Sequence, residues 1–324
     1  METRFPAESR NPAPFHRGEM AAQERAGVRE QMARVGAVVM RDYMPEQHRE
    51  FFPLLPTLLL GGIDRHDEVW ASILWGEPGF ISSPDNRTLR IDALPAAQDP
   101  LAASVMPGQR LGALGLQFET RRRNRANGTV GELDEHGFTL AVQQSFGNCP
   151  KYIQTRELTT VAAAGGQTIE TIAGEGALPE AALALIRHSD TFFIATAAEA
   201  SNGAAHGVDV SHRGGRPGFV SAEADGTLCW PDFTGNNFFN TIGNLEADGR
   251  AGLLFIDFVQ GDILQMTGRG TVEWEGERLR QFAGAKRLLR FEASRWLLRK
   301  GAFPLRWALQ EQSPSLENTG VWDQ

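Results

Sequence analysis

Three short landmarks occur twice in this chain, in the same order. The pairs are Pro78-Gly79-Phe80 with Pro217-Gly218-Phe219, the apolar run 111–118 with 251–258, and Gly128-Thr129-Val130 with Gly270-Thr271-Val272. The offset of about 140 residues is far longer than the repeat of a solenoid or a propeller. The pattern therefore predicts two tandem copies of one domain, with a ligand bound where the copies meet. The alternative is that three short strings match by chance.

The length and composition agree with two ordinary globular domains. A chain of 324 residues has room for two domains of roughly 150 residues each. Its hydrophobic fraction of 41% and charged fraction of 22% are typical of a soluble protein. The net charge of -8 argues against a nucleic-acid-binding protein, because such proteins neutralise phosphates with an excess of basic residues.

Nearly all positive charge in the chain comes from arginine. Lysine occurs only at Lys151, Lys286 and Lys300, which a GC-rich genome would also explain. Either way, an anionic ligand has to be bound by arginine side chains or by backbone N–H groups.

The sequence predicts neither a disulfide framework nor a metal site. Cys149 and Cys229 are the only cysteines, too few for either arrangement. The most apolar stretch, 54–63, is interrupted by Pro56 and is about half the ~20 residues that span a bilayer. No segment resembles a secretion signal. We therefore expect a cytoplasmic protein that does not bind membranes.

Periodicity and turn residues predict a mainly β (α+β) chain with a few flanking helices. The predicted strands are 57–63, 69–75, 88–93, 110–119, 138–144, 191–197, 218–223, 227–231, 252–258 and 263–272. The predicted helices are 23–35, 45–52, 179–187, 236–245 and a tail at 278–300. Many short strands separated by turns favour two small barrels over a doubly wound parallel sheet. The predicted domains are 1–157 with a helical leader, a linker at 158–177, and 178–324 with the helical tail.

Two neighbouring segments of the second domain combine features that suit phosphate. A glycine-rich turn carries Arg213 and Arg216, whose guanidinium groups can bind phosphate oxygens. Asn236 and Asn237 stand where a helix is predicted to begin, and helix starts present free N–H groups. The alternative is a surface loop with solvated arginines and an ordinary asparagine N-cap.

The order of motifs in this region resembles a known family. Residues 208–214, 217–220, 230–232, 236–237, 252–257 and 263–272 read VDVSHRG, PGFV, WPD, NN, GLLFID and ILQMTGRGTV. This series is similar to the pyridoxamine 5'-phosphate oxidase-related FMN-binding split barrels of bacteria, most clearly over 190–275. Segments 15–19, 120–128 and 143–154 resemble the front part of the same tandem branch. The resemblance implies two tandem FMN-binding split β-barrels.

The resemblance also implies a set of FMN-binding residues. By position, Arg213 and Arg216 would hold the phosphate, and Phe219 and Val220 would lie on the strand beneath the flavin ring. Trp230, Asp232 and Thr234 would line the end of the next strand, and Asn236 and Asn237 would stand at the phosphate helix. The chain departs from the oxidase pattern in having these asparagines and Glu223 where the oxidase has lysines.

A run of arginines in the first domain predicts a second group of ligand contacts. If the apolar strand that ends near Glu119 continues, Arg121, Arg123 and Arg125 share one face. Such closely spaced positive charges repel unless an anion or carboxylates lie between them. We therefore expect them to face the phosphate or substrate site at the junction of the two domains. The alternative is a charged, solvated strand edge.

Two further residue types could contribute chemistry. His206 and His212 flank the glycine-rich loop and could lie over a flavin or donate a proton, or they could be purely structural. Cys149 could be a redox-active thiol or a buried structural cysteine. The sequence has no serine-hydrolase triad, Walker loop, Rossmann fingerprint or HExxH helix. No side chain is therefore assigned as catalytic.

These observations predict an FMN-dependent oxidoreductase in which the flavin carries the hydride or electron transfer. The expected partners are a small-molecule substrate or electron donor and a second copy of the chain in a homodimer. Two alternatives remain. One is a non-catalytic protein that binds flavin, deazaflavin or haem, and the other is an inactive structural homologue.

Overall fold

The computed structural model describes residues 14–161, 169–198 and 207–322. Its helices are α1 (Arg17–Arg25), α2 (Arg29–Val39), α3 (Glu46–Arg49), α4 (Glu180–His188), α5 (Asn240–Ala247) and α6 (Glu277–Gln281). The strands that precede α4 are β1 (Thr57–Ile63), β2 (Val69–Trp75), β3 (Ile81–Asp85), β4 (Thr88–Ile91), β5 (Arg110–Gln117), β6 (Arg122–Leu133), β7 (Phe138–Gly147), β8 (Thr155–Val161) and β9 (Thr171–Glu175). Those that follow it are β10 (Thr191–Ala197), β11 (Val208–Gly214), β12 (Ser221–Ala222), β13 (Thr227–Asp232), β14 (Arg250–Ile256), β15 (Ile263–Glu273), β16 (Arg287–Arg299) and β17 (Leu305–Glu311).

The strands form two antiparallel sheets with the same strand order. The first sheet runs β2-β1-β5-β6-β7-β4-β3 and the second β11-β10-β14-β15-β16-β13-β12, with β9 added beside β16. The strands that follow each sheet, β8 and β17, pair with each other. The prediction of a mainly β chain is confirmed.

The repeated landmarks lie on equivalent connections and strands of the two sheets, with the third pair shifted by two residues in register. Residues 78–80 connect β2 to β3, as 217–219 connect β11 to β12. Gly79 and Gly218 there have φ angles of 101° and 88°, which glycine adopts without steric cost. The other landmark pairs fall on β5 and β14 and on β6 and β15. The shared topology is what a tandem duplication would produce; the duplication itself stays a prediction.

The two halves pack face to face at equivalent glycines. A Cβ atom on Gly112 of β5 would lie 2.5 Å from the carbonyl oxygen of Val208, and one on Gly252 of β14 would lie 2.5 Å from that of Val69. Neither position has room for a side chain. A cluster of buried apolar side chains from both halves surrounds these contacts, and it includes Leu59, Leu114, Phe193, Leu254 and Trp307. The halves thus share one continuous interface.

The N-terminal leader consists of two helices, where the sequence predicted one at 23–35. The chain turns between α1 and α2 at Gly27, whose φ angle is 70°. The inner face of α1, including Ala22 and Gln23, is buried, and Gly18 and Gly243 allow α1 to approach α5 closely. No helix in the described part of the chain has the length and apolar character needed to cross a membrane.

The predicted helical tail at 278–300 is wrong. Only the short α6 is helical there, and 287–299 form β16, which hydrogen-bonds to β15 and β13. The segment mixes apolar and charged residues in an order that fits either period over part of its length. Its two neighbours in the sheet decide in favour of the strand.

Other element boundaries also differ from the predictions. The predicted linker contains β9 and most of β8, so the boundary at 157 falls within a strand; residues 162–168 lie outside the described structure. Residues 208–214 of the predicted glycine-rich loop form β11, and the predicted strand at 218–223 is reduced to β12. Helix α5 begins at Asn240 rather than at Asn236. Strand β3 was not predicted.

Candidate cofactor site

A polar pocket lies between the two halves, at the start of α5. The first half contributes Leu114, Arg123, Arg125, Asn148, Lys151 and Tyr152 to its lining. The second half contributes residues 211–214, Phe219, 231–233, 235–237, 239–242 and Arg287. The enclosed part measures about 110 Å³, less than the 300–1,000 Å³ usual for ligand clefts. A ligand of flavin size would therefore extend beyond it towards the mouth.

Arg213 lies on β11, whose strand geometry directs its side chain to the pocket wall. Its Nη1 donates to the carbonyl of His212 at 3.1 Å, and its Nε has no hydrogen-bond partner among the described residues. Burial lowers the pKa of Arg213, and the nearby Arg125 and Arg287 lower it further, while Asp232 opposes the shift. The guanidinium is thus held in a site that disfavours its charge.

Arg123 of β6 faces the same pocket from the first half. Its Nε donates to the carbonyl oxygen of Cys149 at 2.8 Å. Burial, together with the neighbouring Arg213, lowers the pKa of Arg123 to about 9. An anion between the two guanidinium groups would relieve both the desolvation and the repulsion.

Arg125, two residues further along β6, is already neutralised. It is 2% exposed and forms an ion pair of 3.1 Å with Asp209. Its Nη1 donates to Asn240 Oδ1 at 2.9 Å, and its Nη2 donates to the hydroxyl of Ser211. Arg125 therefore forms the floor of the pocket and connects β6 to β11 and α5.

Arg287, at the start of β16, is neutralised in a similar way. It forms an ion pair of 2.8 Å with Asp232. Its guanidinium lies 4.7 Å from the ring centres of both Phe239 and Trp274. The pocket therefore gathers four guanidinium groups but only two paired carboxylates, and Arg123 and Arg213, together with Lys151 of the lining, carry the remaining positive charge.

Among the described residues, His212 is the only histidine in the pocket lining. Its side chain is 3% exposed, and its Nε2 has no partner in the part of the chain that the structure describes. Burial lowers the pKa of His212 well below its ordinary value, and Arg123 and Arg213 add to the effect. The imidazole is therefore neutral at physiological pH and can give or accept one hydrogen bond.

The loop before α5 forms the opposite wall in a strained conformation. Asn237 and Phe239 have φ angles of 61° and 64°. This is a left-handed backbone conformation that residues other than glycine rarely adopt. Such conformations often occur at binding sites, where the surrounding structure maintains them. Among the described residues, no side-chain hydrogen bond caps the helix. The N–H groups of its first turn, which have no partner within a helix, include those of Asn240 and Thr241, and both residues line the pocket.

Glu19 of α1 lies behind this wall and was not predicted. Its carboxylate accepts hydrogen bonds from the backbone N–H of His16 at 2.8 Å and from the side chain of Asn240. Burial and the nearby Asp209 raise the pKa of Glu19 to about 8. Asn240 thus connects the leader helix to Arg125 and the pocket.

The prediction that Arg121, Arg123 and Arg125 share one face is wrong for the first of them. Strand β6 begins only at Arg122, and Arg121 lies in the preceding turn with a φ angle of 56°. Its Nε donates to the carbonyl of Ile153 at 3.0 Å, away from the pocket. The period-two rule holds for Arg123 and Arg125 because both lie within the strand.

Several other predicted residues also lie outside the pocket lining. Arg216 is exposed and donates to the carbonyl of Leu316 at 3.0 Å. Trp230 and Val220 are buried in the core of the second half. Thr234 contributes only its carbonyl, which accepts from the Tyr152 hydroxyl at 3.2 Å.

Of the remaining predicted residues, four line the pocket, one does not line it, and one lies outside the described residues. Asp232, Asn236 and Asn237 line the pocket, and so does Phe219, although it lies in a turn and not on a strand. Cys149 is partly exposed and offers its carbonyl to Arg123. His206 lies outside the described residues.

Sequence reasoning missed Arg287, Asn148 and Tyr152. Arg287 was assigned to a helical tail, so its place beside Asp232 could not be seen. Asn148 and Tyr152 follow β7 and reach the pocket only because the two halves pack together. The motif at 143–154 was the available signal, but it did not indicate which side chains faced the ligand.

A second cavity of about 570 Å³ is larger but less suited to an anion. It lies beside Trp70, Trp296 and Arg295. Arg295 already pairs with Asp64 at 3.3 Å, and the buried Asp99 in its wall accepts from Arg299 at 3.0 Å. Arg295 and Asp99 thus have oppositely charged partners within the protein.

The buried polar atoms without partners in the first pocket indicate whether a phosphorylated flavin fits there. Arg213 Nε, His212 Nε2 and Asn148 Nδ2 are buried atoms without a partner among the residues described. Buried polar groups normally have hydrogen-bond partners, so these atoms suit a ligand rich in acceptor oxygens. Leu114 and Phe219 provide apolar surface beside them. The residues present therefore fit a phosphate joined to a ring system.

Comparison with known proteins gives a match in the second half of the chain. The family model described as pyridoxamine 5'-phosphate oxidase matches residues 178–307. No curated protein sequence matches the chain. Among solved structures, HupZ of Group A Streptococcus is 15% identical, with a TM-score of 0.28, over 37% of this chain and 91% of HupZ. An FMN-binding protein from Syntrophomonas wolfei is 15% identical, with a TM-score of 0.27, over 37% of this chain and 86% of that protein.

Proposed function

We propose that this chain, whose residues 178–307 belong to the pyridoxamine 5'-phosphate oxidase family, binds FMN between its halves and uses it in oxidation–reduction. The observation that carries the proposal is the pair of arginines, Arg123 and Arg213, that face the pocket with only backbone carbonyls as hydrogen-bond partners. Each half supplies one of them, so the site exists only where the halves meet.

The charge of the pocket suits a phosphate monoester. Such a group carries a charge of about -1.5 to -2 at neutral pH, which balances the two guanidinium groups that lack a carboxylate. The first-turn N–H groups at Asn240 and Thr241 add donors and the positive end of the α5 dipole. Riboflavin, which lacks the phosphate, would leave Arg123 and Arg213 unneutralised.

The roles of the other lining residues follow from their position. Phe219 and Leu114 offer apolar contacts for a ring, and Phe219 is fixed by stacking on Phe192 with ring centres 5.8 Å apart. His212 is neutral and holds a hydrogen-bonding nitrogen towards the pocket. When bound, FMN would supply hydride or electron transfer. The protein would bind the flavin, orient it and limit its contact with water.

Ligand titration tests the binding site. We expect wild-type protein to bind FMN at least about tenfold more tightly than riboflavin, because charge-assisted hydrogen bonds are the strong ones. Arg213→Gln should remove most of that preference while riboflavin binding stays the same. Arg216→Gln is the matched control, since Arg216 bonds to Leu316 outside the pocket. Equal affinities for the two flavins, or an unchanged Arg213→Gln variant, would refute the proposed site.

A second measurement tests the reaction. NADH or NADPH added anaerobically to the FMN complex should bleach the flavin absorbance, and air should restore it. If neither NADH nor NADPH reduces the bound FMN faster than it reduces free FMN, the result would instead favour a non-catalytic flavin-binding protein. A haem-like spectrum of the purified protein would favour a haem-binding one.

A further inference from the structure

The register of the two sheets shows which residues occupy the position equivalent to the pocket. Leu114 pairs with Arg125 in the first sheet as Leu254 pairs with Gln265 in the second. Leu114 also pairs with Leu59 as Leu254 pairs with Phe193. Following these ladders, the equivalent pairs are Arg123 with Ile263, Ser211 with Ser72, His212 with Ile73, Arg213 with Leu74, and Asn148 with Arg299.

The backbone arrangement is the same at both positions. Arg125 Nη2 donates to the carbonyl of Val210 in the opposite half at 2.9 Å. Gln265 Nε2 donates to the carbonyl of Ala71, the residue equivalent to Val210, also at 2.9 Å. The second position is therefore built on the same framework as the pocket, and only its side chains differ.

Apolar residues replace the two arginines without a carboxylate partner and the histidine of the first pocket. Ile263, Ile73 and Leu74 stand where the pocket has Arg123, His212 and Arg213. Their exposed fractions are 0%, 5% and 2%, so they are part of the packed core. No guanidinium at these three places is available to an anion.

Most of the polar groups that remain at the second position bind one another, although Arg299 Nε has no hydrogen-bond partner among the described residues. Asp99 Oδ2 accepts from Ser72 at 2.6 Å, from Gln265 at 3.0 Å and from Arg299 at 3.0 Å. Arg299 Nη2 also donates to Gln265 Oε1 at 2.6 Å. The charge of Arg299 is thus balanced by Asp99 inside the protein. Arg299, which is equivalent to Asn148, is therefore the partner of the Asp99 carboxylate.

Aromatic side chains occupy another position that is equivalent to part of the pocket lining. Phe303 stacks on Trp307 with ring centres 5.5 Å apart and contacts the edge of Trp75 at 5.6 Å. Trp75 occupies the position equivalent to Gly214, which lines the first pocket. A glycine on one side is therefore matched by a bulky indole on the other.

We infer that the chain has one anion-binding cofactor pocket, and that the equivalent position in the other half is a closed ion pair with no ligand. One cofactor therefore binds per chain, and both halves are required for it. The identity of that cofactor rests on the proposed function, but the number of sites does not. It follows from which of the two positions retains uncompensated positive charge.

Equilibrium dialysis of the full chain against FMN, and separately against inorganic pyrophosphate, tests the inference. One FMN per chain supports both the inference and the proposed function, and two per chain would overturn the inference alone. No FMN but one pyrophosphate would refute FMN binding and support the single anion site. Binding of neither probe would overturn both.

Two variants test which of the two equivalent positions binds the ligand. Arg213→Leu copies the residue found at Leu74 and should weaken probe binding at least about tenfold, so that the probe concentration that half-fills the wild-type site fills at most about a tenth of the variant's sites. Ile73→Val, a small change at the second position, should leave one ligand per chain. If Arg213→Leu still binds one equivalent with unchanged affinity, the ligand lies elsewhere and the inference fails.

Discussion

Arg125 and Gln265 occupy equivalent positions in the two sheets, and each donates a hydrogen bond of 2.9 Å to a backbone carbonyl of the opposite half. Arg125 is charged and Gln265 is neutral, and the two side chains contact different groups. Arg125 pairs with Asp209 beneath an open pocket, whereas Gln265 lies within a closed group around Asp99. One framework thus supports an open polar site on one side and a packed core on the other.

Replacing Arg125 should destabilise the protein strongly. Arg125→Leu leaves the carboxylate of Asp209 without its ion-pair partner in a buried site, which typically costs about 3–5 kcal/mol. Arg121→Leu is the control, because its partner Glu311 is exposed and such pairs contribute about 0–1 kcal/mol. Urea denaturation measures both. A similar small loss for both variants would show that the Asp209 pair does not stabilise the interface.

Adding a methyl group at the interface should also lower stability. A Cβ on Gly252 would lie 2.5 Å from the carbonyl oxygen of Val69, so Gly252→Ala must push the two halves apart. Overpacking of this kind costs about 1–3 kcal/mol. At Gly147 the nearest atom would be 3.6 Å away, and Gly147→Ala should change the free energy of unfolding by less than about 0.5 kcal/mol. Equal melting temperatures for the two variants would contradict the close approach of the halves.

The buried carboxyl of Glu19 predicts a pH dependence of stability. Its pKa is raised from 4.5 to about 8 in the folded protein, so the native state keeps a proton that the unfolded chain loses as pH rises. Stability should therefore fall as pH increases from about 5 to about 8, by roughly 1 kcal/mol per pH unit.

The variant Glu19→Gln isolates this effect. It should lose the part of the pH dependence that Glu19 supplies, whereas Glu24→Gln, on the exposed side of the same helix, should titrate like wild type. Denaturation midpoints at several pH values between 5 and 8 measure the difference. Parallel pH profiles for wild type and Glu19→Gln would mean that Glu19 is ionised in the folded state.

The two thiols should differ in reactivity. Cys229 is 4% exposed, and burial raises its pKa to about 11, which suppresses the nucleophilic thiolate. Cys149 is partly exposed. A disulfide reagent at neutral pH should therefore modify one thiol per native chain, and Cys149→Ser should remove that reaction. Rapid modification of both thiols in native protein would be inconsistent with the packing around Cys229.

The local sequence pattern predicted the positions of many strands and helices, but not which strands pair with each other. The strands at 57–63, 69–75 and 191–197 were predicted with their observed limits because apolar runs bounded by turn residues mark them clearly. The segment 287–299 was assigned to a helix because its pattern fits both periods in part, and only pairing with β13 and β15 settles it. Similarly, Arg216 and Arg213 looked alike in the sequence, although one bonds to Leu316 and the other faces the pocket.

The sequence by itself determined the repeated landmarks, the β-rich class, and a supply of positive charge that is almost entirely arginine. It also indicated Arg213, through a glycine-rich turn and the resemblance to a family, and Arg123, since the period of a strand assigns side chains to faces. Only the tertiary structure decided that β6, β11, α5 and β16 converge at one pocket and that the equivalent position is closed. The reason is that a strand's period fixes which residues share a face. What that face contacts depends on residues far away in the chain, such as Val210 and Asn240, which are 85 and 115 positions from Arg125.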